Sequence, residues 1–276
     1  MNRFEDSEMS REDTAERPVE QAPKSGDGSR SQTSSRKRSQ VNPASLGLAR
    51  GCKPVRKIAK KSRRISRPGI FASTKTLNGR AVRTESILEM EGLAHIEVNS
   101  AYVRVAPQPH RLTFHVEAAD GSTAVHTYVP DVAVETRDGE IIVVDFKWSW
   151  LRQRDSWADV EPVIRTAYAL DHGVTYRVLT EEHLLVEPRR TNVAIMLMHR
   201  PMVADPAAIT AVRSAIAELG LPRSVGDLRS ASGLSQDGPT DRAFSAMIEL
   251  AIAGEIRIEM SRPFGDESLV SQGARQ

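Results

Sequence analysis

The sequence predicts an α/β fold followed by a smaller, mostly helical unit. Three observations predict it. Residues 83–97 carry an apolar stripe at helical spacing. Residues 102–148 hold successive stretches of alternating or continuous apolar residues, divided by turn signals. Residues 155–179 return to a helical pattern, stop at a glycine and lead into one more strand. Helix, three or more strands, helix, strand is the order of an α/β unit.

In Arg83–Glu97 the stripe is Ile87, Leu88, Met90, Leu93, Ala94 and Ile96, with Thr84 as N-cap and Glu85 in the first turn. Tyr102–Pro107 reads as a short edge strand, broken by Pro107 and Pro109. Arg111–Ala118 alternates through Leu112, Phe114 and Val116, and Asp120-Gly121 is a turn signal. Ala124–Thr136 is the next expected strand, and Arg137-Asp138-Gly139 turns the chain into Glu140–Trp148. Asp155–His172 reads as a helix that Gly173 closes, and Thr175–Leu179 as a strand. In the last third, Asp205 caps a helix with Pro206 at its first position, running to Leu219 before Gly220. A short helix near Val225–Ala231, a third from Thr240 to Gly254 and an alternating Glu255–Met260 complete the pattern. Three small helices closed by a strand resemble a winged helix-turn-helix, over residues 191–276.

Charge is distributed unevenly behind a net +2. Residues 28–84 contain sixteen Lys or Arg and no acid, whereas residues 85–276 contain eighteen bases against twenty-eight acids. A basic block beside a net-acidic body is the pattern of an arm that binds a polyanion. Residues 1–45 have too few apolar side chains to offset ordering entropy and are expected to be disordered. Cys52 is the only cysteine, which excludes an intrachain disulfide or cysteine zinc site and fits a reducing cytoplasm. No apolar run of spanning length and no secretory-type leader occurs, so no membrane association is expected.

The chemistry concentrates in Tyr128-Val-Pro-Asp131 and Asp145-Phe-Lys147. On the strand ending there, Ile141, Val143, Asp145 and Lys147 share one face, and Ile142, Val144, Phe146 and Trp148 the other. A strand apolar on both faces is buried, so an acid and a base at its end are poorly explained as solvated surface. The register decides whether Asp131 joins them. A two-residue turn at Asp138-Gly139 places Asp131 opposite Phe146. An odd loop, or a bulge at Gly139, places it opposite Asp145, with the carboxylates about 5 Å apart. The odd register is predicted. Two adjoining carboxylates are tolerated best around a divalent cation, and hard oxygen donors select Mg²⁺ or Mn²⁺. Lys147 is the only lysine after Lys75, against seventeen arginines in residues 85–276, which singles it out. The plainer alternatives are a strand-edge acid at Asp131 and a structural ion pair between Asp145 and Lys147. The histidines show no metal-ligand spacing, and Trp148, Trp150 and Trp157 read as packing or base-stacking groups.

These motifs resemble the PD-(D/E)xK nuclease superfamily. Residues 50–200 are similar to the TnsA-like endonuclease subunits of heteromeric cut-and-paste transposons. The likeness rests on Gly69–Lys75, Val82–Glu89, Gln108-Pro109, Tyr128–Asp131, Asp145–Lys147 and Val178–Glu181. Less specifically, Glu249-Leu250, Gly254–Ile258 and Ser261–Pro263 resemble that family's helical tail. The resemblance implies a restriction-endonuclease-like core over residues 46–190 and a winged-helix-like tail. It implies Mg²⁺-dependent hydrolysis at the 5′ ends of a mobile element. The expected partners are double-stranded DNA at the transposon ends, a DDE-type transposase that processes the 3′ ends, an ATPase regulator and target-selection proteins. The implied setting is a bacterial cytoplasm, on the nucleoid when DNA is bound. Asp131 and Asp145 would bind metal, Lys147 would assist the attacking water, and the family's first-helix acid falls on Glu89, with Glu85 the alternative. Relatives carry Glu or Gln where this chain has the shorter Asp145. Arg56, Lys57, Lys60, Lys61, Arg63, Arg64 and Lys75 are the expected phosphate contacts. A stand-alone restriction or repair nuclease, or a non-catalytic DNA-binding scaffold, remain the other readings.

Overall fold

A computed structural model describes residues 41–58, 68–77, 79, 81–117, 121–200, 203–234 and 241–273. The chain is mixed α/β. In order, the first half comprises β1 (Gly69–Ala72), β2 (Ala81–Thr84), α1 (Ile87–Val98), β3 (Tyr102–Pro107), β4 (Leu112–Glu117), β5 (Thr123–Tyr128), β6 (Val132–Thr136) and β7 (Ile141–Phe146). Next come α2 (Ser149–Arg152), α3 (Asp155–Ala167) with a π turn at Tyr168–His172, β8 (Thr175–Leu179), α4 (Glu181–Leu184) and α5 (Arg189–His199). The last third holds α6 (Pro206–Leu219), β9 (Arg223–Ser224), α7 (Val225–Ala231), α8 (Arg242–Ala253), β10 (Ile256–Ile258) and β11 (Leu269–Gln272).

The central sheet has the order β3-β6-β7-β8, with β7 and β8 parallel and the other pairs antiparallel. All six residues of β7 are buried. Ile142, Val144 and Phe146 belong to one apolar cluster, with α1, α5 and α8; Ile141 and Val143 belong to the other, with α3, β4 and Leu46. The two-faced strand expected from the sequence is therefore covered by helices on both sides, as a central strand with apolar residues on both faces requires.

The register is the odd one. Val132 pairs with Val144 and Ala133 with Val143, so one further step sets Asp131 opposite Asp145. The reason is a three-residue loop. Thr136 N–H donates to Glu140 at 2.8 Å and Gly139 N–H to Thr136 at 3.1 Å, while Gly139 adopts φ 82°. That left-handed backbone is cheap only for glycine, and it closes a turn plus bulge that flips the register by one.

Several elements differ from expectation. The first helix begins at Ile87, because residues 81–84 pair with β1 and Thr84 is a strand residue. Ser86 is the N-cap: its hydroxyl accepts the Glu89 N–H at 3.1 Å. The expected strand 124–136 is two strands. Pro130 removes a donor at the break, β5 pairs with β4 in a separate hairpin, and only β6 joins the main sheet. The α3 helix ends as read, with Gly173 left-handed at φ 66°. Asp205 caps α6 by accepting the Ala208 N–H at 3.1 Å. The last third gains a three-stranded sheet, β10-β11-β9, where a single strand was expected.

Residues 41–45, the end of the expected disordered tail, are ordered. Asn42 caps a 3₁₀ turn at Pro43–Leu46, and Leu46 is fully buried. Residues 1–40 of that tail lie outside the described residues. The apolar cluster containing Leu88 and Phe146 also contains Val193, Met196, Val212, Met247 and Val270, so it runs without interruption past residue 190. No helix among the described residues is long and apolar enough to cross a membrane.

A buried histidine makes the fold acid-sensitive. His110 Nε2 meets the Tyr168 hydroxyl at 3.1 Å, and its buried Nδ1 has no partner among the described residues. Burial, reinforced by neighbouring His172, pushes the imidazole down to about 4. An unfolded histidine titrates near 6.5, so between these values only the unfolded chain binds the proton, and acidification destabilises the fold. Between pH 6.5 and 5, wild type is expected to lose about 1.5 kcal/mol more than His110→Gln, measured by urea unfolding at both pH values.

Candidate active site

The site forms where β6 and β7 end. Asp145 is 0% exposed. Its Oδ1 accepts the Asp131 N–H at 2.9 Å, and its Oδ2 accepts the Tyr128 hydroxyl at 2.5 Å and the Tyr176 hydroxyl. An ionised carboxylate has about four acceptor positions, so three donors leave Asp145 one, on Oδ1. Asp131 is tied less tightly. Its Oδ2 accepts the Phe146 N–H at 2.9 Å, while among the described residues its Oδ1 faces only the Arg56 guanidinium, at 3.9 Å. Asp131 therefore has the more available oxygen of the pair.

Glu89 lies on the first turn of α1, nearly buried. One carboxylate oxygen accepts the Glu85 N–H at 2.9 Å and the other the Ser86 hydroxyl at 3.1 Å. With the reciprocal Ser86–Glu89 bond this is close to a capping box, read directly from Ser86-Ile-Leu-Glu89. Glu85, the alternative, is half-exposed and pairs with Arg56 at 3.1 Å.

The acids sense one another. Burial, then the charges of Asp145 and Glu89, push the Asp131 carboxyl well above the ordinary carboxylate range. Burial is also the main cause raising Glu89, and Glu85 adds to it. The Tyr128 and Tyr176 phenols are raised by burial and by Asp145, so both remain protonated donors to that carboxylate. The structure thus brings Asp131 and Asp145 together and sets Glu89 within electrostatic reach. Among the described residues no three His, Cys, Asp or Glu side chains are grouped as a metal cage. The donor set available at Asp131, Asp145 and Glu89 is all oxygen, anionic and partly desolvated, which suits a hard divalent ion.

Lys147 follows the paired strand. Its backbone N–H bonds to Leu179 at 3.0 Å, and its ammonium lies 3.8 Å from the ring centroid of Trp157 and 5.9 Å from that of Tyr128. Trp157 is fixed in turn by its indole N–H on Glu161 at 3.2 Å. The charge of Lys147 also draws the Asp131 carboxyl down, against the larger raising effects. No ion pair links Lys147 to Asp145, so the plain structural salt bridge does not describe them.

Of the expected phosphate contacts, Arg56 faces the acids and Lys57 is exposed. Lys60, Lys61, Arg63 and Arg64 lie outside the described residues. Lys75 is a correction. It is 9% exposed, and its ammonium donates to the Ile96 and Asn99 carbonyls at 2.8 and 2.6 Å. These groups at the end of α1 have no intrahelical partners, and a cation there also suits the helix dipole. Burial, only partly offset by Glu97, pushes Lys75 down to about 8. It holds a helix end and is not available to a phosphate.

Tyr128 and Tyr176 escaped the sequence reading as site residues, and Trp157, read there as a packing or base-stacking group, instead holds the Lys147 ammonium. Tyr128 sits in the quoted Tyr-Val-Pro-Asp string, and its position three residues before Asp131 was the available signal. Tyr176 comes from β8, whose pairing with β7 puts it opposite Val143, two residues before Asp145. Compared with known proteins, the chain matches no protein-family model and no curated protein.

Proposed function

We propose that the protein is a divalent-metal-dependent DNA endonuclease, working as the nuclease subunit of a heteromeric cut-and-paste transposase. The observation that carries this reading is the approach of Asp131, just before β6, to Asp145 on β7, whose Oδ1 accepts the Asp131 N–H at 2.9 Å, two residues before Lys147. The order α1, β3, β6, β7, α3, β8, with only the last two strands parallel, supports a restriction-endonuclease-like core. Helices α6, α7 and α8 beside the β10-β11-β9 sheet support a winged-helix-like tail.

Asp131 would hold Mg²⁺ or Mn²⁺ through Oδ1, with Asp145 offering its remaining Oδ1 position and Glu89, tied into the cap of α1, completing the site through water. The ion, when bound, supplies Lewis acidity and an acidified water. Tyr128 and Tyr176 hold Asp145, and Asp145 in turn holds the Asp131 backbone, so the ligand oxygen is preorganised. Lys147 offsets the negative charge that develops on the phosphate and orients the water. Trp157 keeps that ammonium beside the acids by a cation–π contact. Lys57 and the basic residues around it would neutralise phosphates, so affinity falls with salt. Cleavage of the 5′ ends would be paired with a DDE-type transposase acting on the 3′ ends and with an ATPase regulator.

The test is cleavage of duplex DNA carrying the element's ends, with the partner transposase and Mg²⁺. Strand scission that EDTA abolishes is expected. Absence of scission with the partner and metal present would defeat the proposal. Trp157→Leu is expected to slow cleavage about tenfold, the equivalent of one cation–π contact, with Trp157→Phe recovering most of the rate. Single-turnover rates on saturating DNA check this.

A further inference from the structure

The metal-dependent reading does not account for Arg56, an expected phosphate contact, lying against the acids instead. Arg56 is the cation nearest to the available oxygen of Asp131. Its guanidinium lies 3.1 Å from Glu85 and 3.9 Å from Asp131, and it is close enough to Glu89 to favour that carboxylate's charged form. It therefore faces three acids, the charge environment a divalent ion would require. Arg56 is not held there as a structural arginine usually is. Among the described residues its buried Nε has no hydrogen-bond partner, its longer ion pair lacks hydrogen-bond geometry, and its side chain is 38% exposed. A planar guanidinium has five donors and packs for structure by using them.

Its backbone is tied to the site, however. Val55 N–H donates to the Gln108 carbonyl at 3.0 Å, and Gln108 N–H donates to the Asp131 carbonyl at 2.8 Å. Gln108 is buried and adopts φ 39°, a left-handed conformation unusual for a residue other than glycine. The chain thus keeps a strained residue whose backbone links the segment before Arg56 to the carbonyl of Asp131.

We propose that Arg56 is a tethered competitor of the divalent ion. In the metal-free protein its guanidinium balances the charge of Glu85, Glu89 and Asp131, and metal entry requires it to leave. A partly exposed ion pair of this kind is weak, so a divalent ion can displace it. Once displaced, the guanidinium remains tethered beside the ion, where a scissile phosphate would lie, and becomes available to a phosphate oxygen. Metal binding and DNA binding then favour one another through a single side chain. This inference rests on the metal-dependent reading of the site.

The test is Mn²⁺ titration of the full chain by calorimetry, without DNA. Arg56→Gln is expected to bind Mn²⁺ more tightly than wild type, by on the order of fivefold or more, because a repelling charge is gone. Arg56→Lys, which keeps the charge, is expected within about twofold of wild type. With Asp131→Ala added, binding should vanish in all three. Equal or weaker binding by Arg56→Gln overturns the inference, as does equal tightening in Arg56→Lys. If all bind equally and lose binding with Asp131→Ala, the metal site stands and only the role of Arg56 falls. If Arg56→Gln tightens but no form cleaves DNA, Arg56 stands and the nuclease reading falls. If neither wild type nor Arg56→Gln binds Mn²⁺, both fall.

Discussion

Gly92→Val is expected to destabilise the protein by about 3 kcal/mol, lowering the melting temperature by roughly 6–12 °C for a unit of this size. Gly92 lies in the middle of α1, facing β7. A Cβ there would stand 2.0–2.4 Å from three ring atoms of Phe146. Phe146 is buried and packed in the same cluster as Leu88 and Leu93, so its ring has nowhere to turn. Either the ring or the helix must move, and overpacking of that kind outweighs the gain in helix propensity from losing a glycine. The helix also carries Glu89, one turn earlier, so any surviving Gly92→Val protein should show a weaker metal site. Thermal melts monitored by circular dichroism check the first effect. A wild-type melting temperature would show that α1 does not approach the sheet as closely as described.

Asp131→Asn is expected to separate activity from stability. Cleavage should fall by about 10³-fold or more, because the one loosely held ligand oxygen loses its charge. Stability without metal should stay level or rise. The Phe146 N–H still finds an oxygen at this position, while the repulsion that raises Asp131 beside Asp145 and Glu89 is removed. A carboxyl raised in the folded state destabilises the fold above its unfolded titration range, and this cost returns to zero as pH falls through that range. Matched cleavage assays and metal-free melts decide the matter. A variant that loses activity together with several degrees of melting temperature would assign Asp131 to structure.

What the sequence made legible was governed by short-range rules. The opposed carboxylates followed from strand alternation and one glycine-bearing loop, because a three-residue turn has few solutions. Gly173, Gly254 and Asp205 marked their helix ends for the same local reason. The misreadings arose from partners distant in sequence. Lys75 shares its charge with the basic arm, and nothing local reveals that the end of α1 folds over it. Thr84 was a plausible cap until strand pairing with residue 69 claimed it. The Ser86–Glu89 spacing was present, and a stricter reading of it would have placed the helix start correctly. Tyr176 reached the site only through the parallel pairing of β8 with β7, which periodicity does not encode.

The uninterrupted apolar cluster has a practical consequence. A fragment cut at residue 190 would end inside α5 and strip Val193 and Met196 from the surface of α1. What remained would present a greasy flank to solvent and would tend to precipitate. Recombinant work on the nuclease half therefore has to carry the polypeptide through to β11, and the tail is better dissected by point substitution than by truncation.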